Sequence, residues 1–355
     1  MDTRLDEKQT IERWGIRFTG IVQGVGFRPL VSMWAHQLGI SGFVYNDSFG
    51  VYVEAQSDID TLQLFVDTIQ EEQPRLCRIT HVGITKVAPY DVDDNTEFVI
   101  SKSPLEGTIN TFISADTSPC EECLSEMNEK GRRYHYPFIN CTNCGPRYSI
   151  IKSMPYDRER TTMSDFTMCE ACHDEYVDVN GRRYHAEPNA CEQCGPSYQL
   201  LDNNGNLCVV DDCFEAAREM IAKGAIIALK GIGGYHLVCD ATNDTAVQTL
   251  RERKHRKDKP FAIMAGSIDI VEAFAVVSDG DLDALSAMAR PIVLLEKNDD
   301  FHTPISELVA PNNHLIGVML PYAPIHHVLV PQDATWVMTS GNASGDSVIY
   351  DDEKA

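Results

Sequence analysis

Three groups of residues in this chain have the types and spacing to do chemistry. The first is a set of thiolates. Eight of the twelve cysteines form four Cys-x-x-Cys pairs between Cys120 and Cys194, arranged as one unit written twice. Cys120 and Cys123 are followed by Cys141 and Cys144, and in the second copy Cys169 and Cys172 are followed by Cys191 and Cys194. Each copy carries Gly-Arg-Arg-Tyr-His, at 131–135 and 181–185, and each closes on Cys-Gly-Pro. A Cys-x-x-Cys pair presents two sulfurs from one tight turn, so eight such thiolates suit two structural, tetrahedral zinc ions. Redox Cys-x-x-Cys chemistry is the alternative, but it ordinarily uses a single motif beside a βαβ unit. The spacing leaves open whether ligands pair within a copy or across copies, and whether His135 or His185 replaces a thiolate. The repeated Arg-Arg-Tyr reads as a solvated face or a docking surface.

The second group is an anion cradle. In the turn Gly20-Ile21-Val22-Gln23-Gly24-Val25-Gly26-Phe27-Arg28-Pro29, Gly24 and Gly26 let the backbone bend so that successive N–H groups point at one spot. That spot lies at a predicted helix N-terminus, where the dipole favours an anion. Arg28 adds a guanidinium whose fork matches phosphate oxygens. The spacing fits neither a Walker A loop nor a Rossmann fingerprint, and glycines in a strand–helix turn also serve purely structural ends. The third group is cationic: Arg251, Arg253, Lys254, Arg256, Lys257 and Lys259 crowd into one stretch of an otherwise acidic chain. A solvated helix end would account for them. A polyphosphate site accounts for them better, because the turn Thr339-Ser340-Gly341-Asn342-Ala343-Ser344-Gly345 offers hydroxyl, amide and backbone donors.

Elements must position these groups. Apolar residues alternate over Trp14–Thr19, as in a strand, and Phe27, Leu30, Val31, Trp34 and Leu38 share one face of a helix that Gly39 ends. Two strands flank a turn at 47–50, a second helix turns Leu62, Phe65, Val66 and Ile69 inward, and strands near 78–88 and 96–101 follow. The order βαββαβ packs two helices on one face of an antiparallel sheet. Residues 104–205 have few long apolar runs, so metal binding is expected to supply their folding energy. From residue 206 the pattern is α/β: helices near 212–223 and 244–254, and strands near 225–229, 260–264, 292–297, 316–320 and 336–339.

The 355 residues allow two or three domains. Three are expected, at 1–103, 104–205 and 206–355. A formal charge of −23 argues against an extended nucleic-acid surface, which needs clustered Lys and Arg. The N-terminus is charged and lacks the apolar run of a signal peptide, no apolar run of membrane-spanning length occurs, and the cysteines read as reduced, so a cytoplasmic location is expected. Cys77, Cys208, Cys213 and Cys239 read as core residues or spare thiols.

The motifs also carry resemblances. Gly20-x-Val22-Gln23-Gly24-Val25-Gly26-Phe27-Arg28, with Gly42-Phe43-Val44-Tyr45-Asn46, resembles the acylphosphatase family over about the first hundred residues. That resemblance implies a ferredoxin-like fold in which Arg28 and the amides of Gln23, Gly24, Val25, Gly26 and Phe27 hold an acyl-phosphate's phosphoryl group, and Asn46 orients the attacking water. Arg28→Ala is then expected to remove phosphate release, with little loss of stability if the side chain faces solvent. The C-terminal segment resembles the YrdC family, which joins ATP to a carbamoyl-type group: Lys254-His255-Arg256 matches its Lys-x-Arg motif and Ser340-Gly341-Asn342 its Ser-x-Asn motif. Lys230-Gly231-Ile232-Gly233-Gly234-Tyr235-His236 and Asp240-Ala241-Thr242 fit as well. By this resemblance Lys254, Arg256, Ser340 and Asn342 line a site for ATP, with Mg2+, and carbamate; Lys230 and Lys259 are weaker candidates.

Together the expected fold is multidomain α+β: a ferredoxin-like acylphosphatase fold, a duplicated four-cysteine zinc module, then an α/β YrdC-like domain. In this order the chain resembles the HypF family, the carbamoyltransferases of nickel–iron hydrogenase maturation. The resemblance implies hydrolysis of carbamoyl phosphate, capture of carbamate with ATP as carbamoyl-adenylate, and transfer to the C-terminal cysteine of a HypE-type maturation protein. That family continues into a further ATPase-like domain, so the chain reads as an N-terminal portion with a truncated YrdC-like domain. Tethering would raise the effective concentration of one site's product at the other, with the zinc module as a rigid spacer. Two alternatives belong to other classes: a threonylcarbamoyl-adenylate synthase of tRNA modification, and a zinc-folded, chaperone-like binding module.

Overall fold

The structure, a computed structural model, describes residues 10–90, 97–104, 111–298, 305–343 and 345–355. The N-terminal nine residues, Thr96 of an expected strand and Ser344 of the Ser-Gly-Asn stretch lie outside these. Contacts divide the chain into two units, Met1–Asp116 with Asn140–Gly195, and Thr117–Ile139 with Pro196–Ala355. The middle segment is therefore shared out between them. Among the described residues no helix is long and apolar enough to cross a membrane.

The first unit begins with β1 (Ile11–Ile21), α1 (Phe27–Gln37), β2 (Ser41–Asp47), β3 (Gly50–Asp58), α2 (Ile59–Glu71), β4 (Arg78–Val87) and β5 (Phe98–Ile100). The sheet order is β4-β1-β3-β2-β5. The expected elements are all present, with one difference in pairing: β5 lies parallel to β2, Gly42 opposite Phe98, so the sheet is not wholly antiparallel. Its core joins Ile16, Phe18, Val51 and Val53 of the strands to Phe27, Val31 and Ala35 of α1 and Leu62, Phe65, Val66 and Ile69 of α2. Asp58 caps α2, its carboxylate accepting from Thr61 N at 3.0 Å. The two-residue turn between β2 and β3 fixes their register, Asp47 opposite Gly50 and Asn46 opposite Val51, and this sets Asn46 at the end of β2 nearest the cradle.

The repeated cysteine segments fold alike. Helices α3 (Glu121–Asn128) and α4 (Glu170–Val177) begin directly after Cys120 and Cys169, which occupy their N-cap positions. His135 N bonds the Met127 carbonyl and His185 N the Tyr176 carbonyl, each at 2.9 Å, and both histidines have positive φ. The second arginine of each repeated motif is not part of a solvated face, whereas Arg132 and Arg182 are half-buried. Arg133 is 1% exposed and pairs with Glu126 at 3.0 Å. Arg183, also buried, donates to the Asn140 carbonyl at 3.0 Å and faces Glu175 at 3.7 Å. A guanidinium inside so small a fold must have its donors met, and the motif recurs because each copy needs that internal strut.

The second unit holds α5 (Cys213–Ala222), β6 (Ile227–Gly231), β7 (Gly234–Asp240), α6 (Asp244–Arg253), β8 (Ala262–Ala265), α7 (Ile268–Glu272), β9 (Ala275–Val276), α8 (Asp279–Ser286), β10 (Val293–Lys297), β11 (Leu315–Met319), α9 (Pro324–Leu329) and β12 (Thr335–Ser340). Seven strands run in the order β6-β7-β12-β8-β11-β10-β9. Alternate residues feed opposite cores. Cys239, Ile263, Val318 and Val337 pack with Val247 and Leu250 of α6. Val238, Met264, Met319, Trp336 and Met338 pack with Ala217 and Ile221 of α5 and Leu329 of α9. This is the α/β layering expected from sequence, although among the described residues of this unit only β8 and β11 pair in parallel. Strand β7 is not among the expected elements: the glycines at 231–234 turn a hairpin, with Gly231 opposite Gly234.

Candidate active sites

The cradle forms where β1 gives way to α1. Gly24 and Gly26 have φ of +71° and +79°, the left-handed region that a residue with a Cβ enters at a cost, and Gly26 is the N-cap of α1. Arg28 is the second residue of that helix. It does not face solvent: it is 7% exposed. Its Nη1 donates to Asp157 Oδ1 at 2.5 Å, and its Nη2 to Glu187 Oε1 at 2.7 Å and to the Tyr156 carbonyl at 3.1 Å. Burial works against the guanidinium's charge, but Asp157 and Glu187 outweigh it and the Arg28 pKa is raised.

Asn46 reaches the same point. Its Nδ2 donates to the Tyr156 carbonyl at 3.0 Å, and its Oδ1 is buried without a partner among the described residues. The amide orientation follows from that carbonyl, which can only accept. The Gln23 side chain is taken up within the fold: Nε2 donates to the carbonyls of Asp47 and Gly50, both at 2.7 Å, and Oε1 accepts from Tyr156 N at 3.1 Å. Its side chain therefore ties the loop to the β2–β3 turn and to residue 156, and only its backbone remains to meet an anion. Val25 and Phe27 point into the core. Val22, Gly24, Gly26, Phe27, Arg28 and Asn46 line one cleft with Thr142, Arg147, Tyr156, His185 and Glu187.

The last five of these are not among the residues expected from sequence. Arg147 donates from Nε to the Gly24 carbonyl and from its other nitrogens to the carbonyls of Cys141, Thr142, Cys144 and Pro146, fastening the cradle to the first Cys-Gly-Pro turn. Glu187 is 3% exposed and, besides Arg28, accepts from Tyr176 Oη and Arg158 N, both at 3.0 Å. Burial raises its pKa by more than Arg28 lowers it, and Asp157 raises it further. Burial and Arg28 together lower the pKa of His185 to about 4, so its ring is neutral. A signal existed: Glu187 stands where the first repeat has Pro137, and Arg147 where the second has Ser197.

The cysteines converge as two groups of four, Cys120, Cys123, Cys141 and Cys144, and Cys169, Cys172, Cys191 and Cys194, all sulfurs of a group lying within 4.8 Å of one another. Ligands thus pair within each repeat and neither histidine enters. Four thiolates about 2.3 Å from a central zinc stand about 3.8 Å apart. The Sγ separations of 3.8 Å for Cys169–Cys191 and Cys191–Cys194, and 3.6 Å for Cys172–Cys194 and Cys141–Cys144, match that tetrahedron. Bound zinc would supply folding energy here and no chemistry, since each site is closed by four protein ligands.

In the second unit Lys254 follows α6 and Ser340 ends β12. Lys254 Nζ donates to the carbonyls of Ser340 at 2.6 Å and Asn342 at 3.0 Å, while Ser340 Oγ donates to Asn342 Oδ1 at 2.5 Å. Arg256 donates from Nη1 to Thr339 Oγ1 at 3.2 Å and from Nη2 to the Pro260 carbonyl. Lys254, Arg256, Ser340 and Asn342 therefore come together. Burial and the nearby Arg256 lower the Lys254 pKa. Lys259 is exposed, and Lys230 pairs instead with Asp352, which also accepts from Tyr235 Oη at 2.9 Å. Arg251, counted with the cationic run, is a buried strut that donates to the carbonyls of Leu308, Arg256 and Val309.

Three family models match the chain in the order of its motifs: acylphosphatase over residues 14–100, the HypF finger over 120–151 and 168–201, and the Sua5–YciO–YrdC family, described as telomere recombination, over 219–355. Fold and sites together define a protein that joins an acylphosphatase-like part, a pair of four-cysteine zinc-finger clusters and a YrdC-like part. The chain is 43% identical over 345 residues to the carbamoyltransferase HypF of Rhodobacter capsulatus, covering 97% of this chain and 45% of that protein. It is 40% identical to the HypF of Synechocystis sp. over 95% of this chain and 43% of the relative. A crystal structure of full-length HypF in the phosphate- and nucleotide-bound form matches at a TM-score of 0.90 and 41% identity, over 98% of this chain and 45% of that one. The chain belongs to the HypF family of carbamoyltransferases and spans a little under half the length of these relatives.

Proposed function

We propose that the first unit hydrolyses carbamoyl phosphate to carbamate and phosphate, and that the second joins carbamate to ATP, giving carbamoyl-adenylate and pyrophosphate. The observation that carries the reading is the convergence of Arg28 and Asn46 on one carbonyl beside the N-terminus of α1. A guanidinium and aligned amides stabilise charge on a phosphoryl group as the acyl–phosphate bond breaks. The unpartnered Asn46 Oδ1 can accept a hydrogen bond from the attacking water and hold the water's lone pair toward the carbonyl carbon. No covalent intermediate is needed for this step. In the second unit Lys254, Arg256 and the Ser340–Asn342 turn supply cations and donors for a triphosphate, as a Mg2+ complex, and for the carbamate oxygens. The nucleotide and phosphate bound in the similar full-length HypF structure support this reading.

Carbamoyl transfer to a HypE-type partner, in the cytoplasm, is proposed as the reaction that these two steps serve. Threonylcarbamoyl-adenylate synthesis is less well supported, because that chemistry gives no work to the Arg28 site. A chaperone-like role gives none to either. The test is pyrophosphate release by the purified, zinc-loaded chain. Release with ATP and carbamoyl phosphate, and none with ATP, threonine and bicarbonate, is the expected outcome; the reverse pattern would replace this reading with the synthase.

A further inference from the structure

The Arg28 guanidinium has no free bidentate edge. Each of its two edges includes Nη2, and both Nη2 hydrogens are committed, one to Glu187 Oε1 at 2.7 Å and one to the Tyr156 carbonyl at 3.1 Å. Asp157 takes Nη1. A phosphoryl group that uses the fork must therefore displace a protein acceptor. The Tyr156 carbonyl is the harder to move. Its residue is pinned through Tyr156 N to Gln23, and its oxygen also serves Asn46. Glu187 is the acceptor that resembles the ligand, a buried anion presenting one oxygen to Arg28. Its other oxygen has partners of its own in Tyr176 Oη and Arg158 N, so the carboxylate keeps two hydrogen bonds when it releases Arg28.

Resting on the phosphate-site reading above, we propose that Glu187, contributed by the second cysteine repeat, is an internal stand-in for the substrate's phosphoryl group and sets the site's affinity by competing with it for Arg28. A charge on Glu187 also opposes the incoming anion. The groups that face it are Arg28, Asp157, Tyr176 and Arg158, with His185 against Tyr176. Among these contacts Arg28 is the cation whose side chain hydrogen-bonds to the two carboxylates, and Arg147 lines the same cleft, so an incoming anion meets the charge of Glu187 directly at the Arg28 fork. The opposite view, in which Glu187 only props Arg28 in place, predicts the opposite sign: loosening the prop would weaken anion binding.

The experiment measures inorganic phosphate binding to the whole zinc-loaded chain by titration calorimetry, for wild type, Glu187→Gln, Glu187→Asp and Arg28→Lys. Glutamine keeps the shape and loses the charge; aspartate keeps the charge and shortens the reach. Each is expected to tighten phosphate binding, the glutamine variant by about tenfold, the scale of one hydrogen bond to a charged group. Unchanged or weaker binding in both Glu187 variants, with two zinc ions retained, overturns the competition. If instead wild type and both variants bind phosphate no better than Arg28→Lys, Arg28 is not the phosphate ligand, and the functional reading fails along with the inference.

Discussion

Arg28→Ala tests the energetics of the first site most sharply, because it is expected to act on stability as well as on the proposed catalysis. The side chain is buried between Asp157 and Glu187. Its removal leaves two carboxylates, one of them 3% exposed, with no cation between them. Breaking a buried ion pair by deleting one partner costs about 3–5 kcal/mol, since the remaining charge is desolvated and uncompensated. The sign with pH follows from Glu187. Burial and Asp157 already raise its folded-state pKa above the unfolded value, and Arg28 is the cation that restrains the rise. Deleting Arg28 raises it further. A carboxyl with a raised folded pKa destabilises the fold when ionised, so the deficit is largest at neutral pH and shrinks as pH falls toward the ordinary carboxylate range. Urea denaturation of the full chain followed by tryptophan fluorescence reads this, because Trp14 and Trp34 lie in the unit that holds Arg28. The double variant Arg28→Ala with Glu187→Gln is expected to recover much of the loss at pH 7. Wild-type stability at pH 7, or a deficit that grows on acidification, would refute the reasoning.

Asn46→Ala should lower kcat for carbamoyl phosphate hydrolysis by about 10²-fold while KM changes little, because the amide acts on water in the transition state more than on the bound anion; an equal effect on both constants would reassign it to binding. Cys191→Ser should reduce bound zinc from two ions per chain to one, measured by metal analysis of the purified variant, and retention of two would contradict the Cys169–Cys194 ligand set. Lys254→Ala should weaken ATP binding about tenfold or more by calorimetry and also lower the melting temperature, since Nζ braces the carbonyls of Ser340 and Asn342; unchanged affinity would move the nucleotide site elsewhere.

What can be read from sequence is the local chemistry. Gly24, Gly26, Arg28 and Asn46 announce themselves because a left-handed turn, a helix start and a strand end are short-range features whose residue types are dictated by the backbone there. The residues that hold Arg28 are of another kind. Asp157 and Glu187 lie 129 and 159 positions away from it, and Arg147 lies 123 positions from the Gly24 carbonyl it grips. No periodicity connects positions so far apart, because their approach is fixed by the fold of the cysteine repeats and not by any propensity of their own. The missed strand β7 has a simpler cause. The glycine run at 231–234 reads as the end of a strand, whereas a two-residue hairpin needs the same residues and sends the chain straight back. The buried Arg133 and Arg183 show the reverse error: a charged repeat looks like surface until the carboxylates that neutralise it are placed.

The two repeats themselves separate frame from function. What they share is what a four-thiolate cluster needs: the paired cysteines, a helix opening on the first of them, a histidine at positive φ bonded back to that helix, and an internal arginine. Several positions that differ between them lie at the Arg28 cleft or against its Glu187. Tyr176 replaces Met127, Glu187 replaces Pro137, and Arg147 follows the first Cys-Gly-Pro where Ser197 follows the second. A frame whose folding energy would come largely from its metal ligands tolerates such changes at positions that are neither ligands nor internal struts. One copy could therefore acquire a buried carboxylate, at a position where an apolar core could not easily have accepted one, and hold it within 2.7 Å of the guanidinium. The cysteine module thus contributes side chains as well as metal ligands. Its second repeat supplies the carboxylate, and its first the arginine clamp, that meet the proposed anion-binding loop from another part of the sequence.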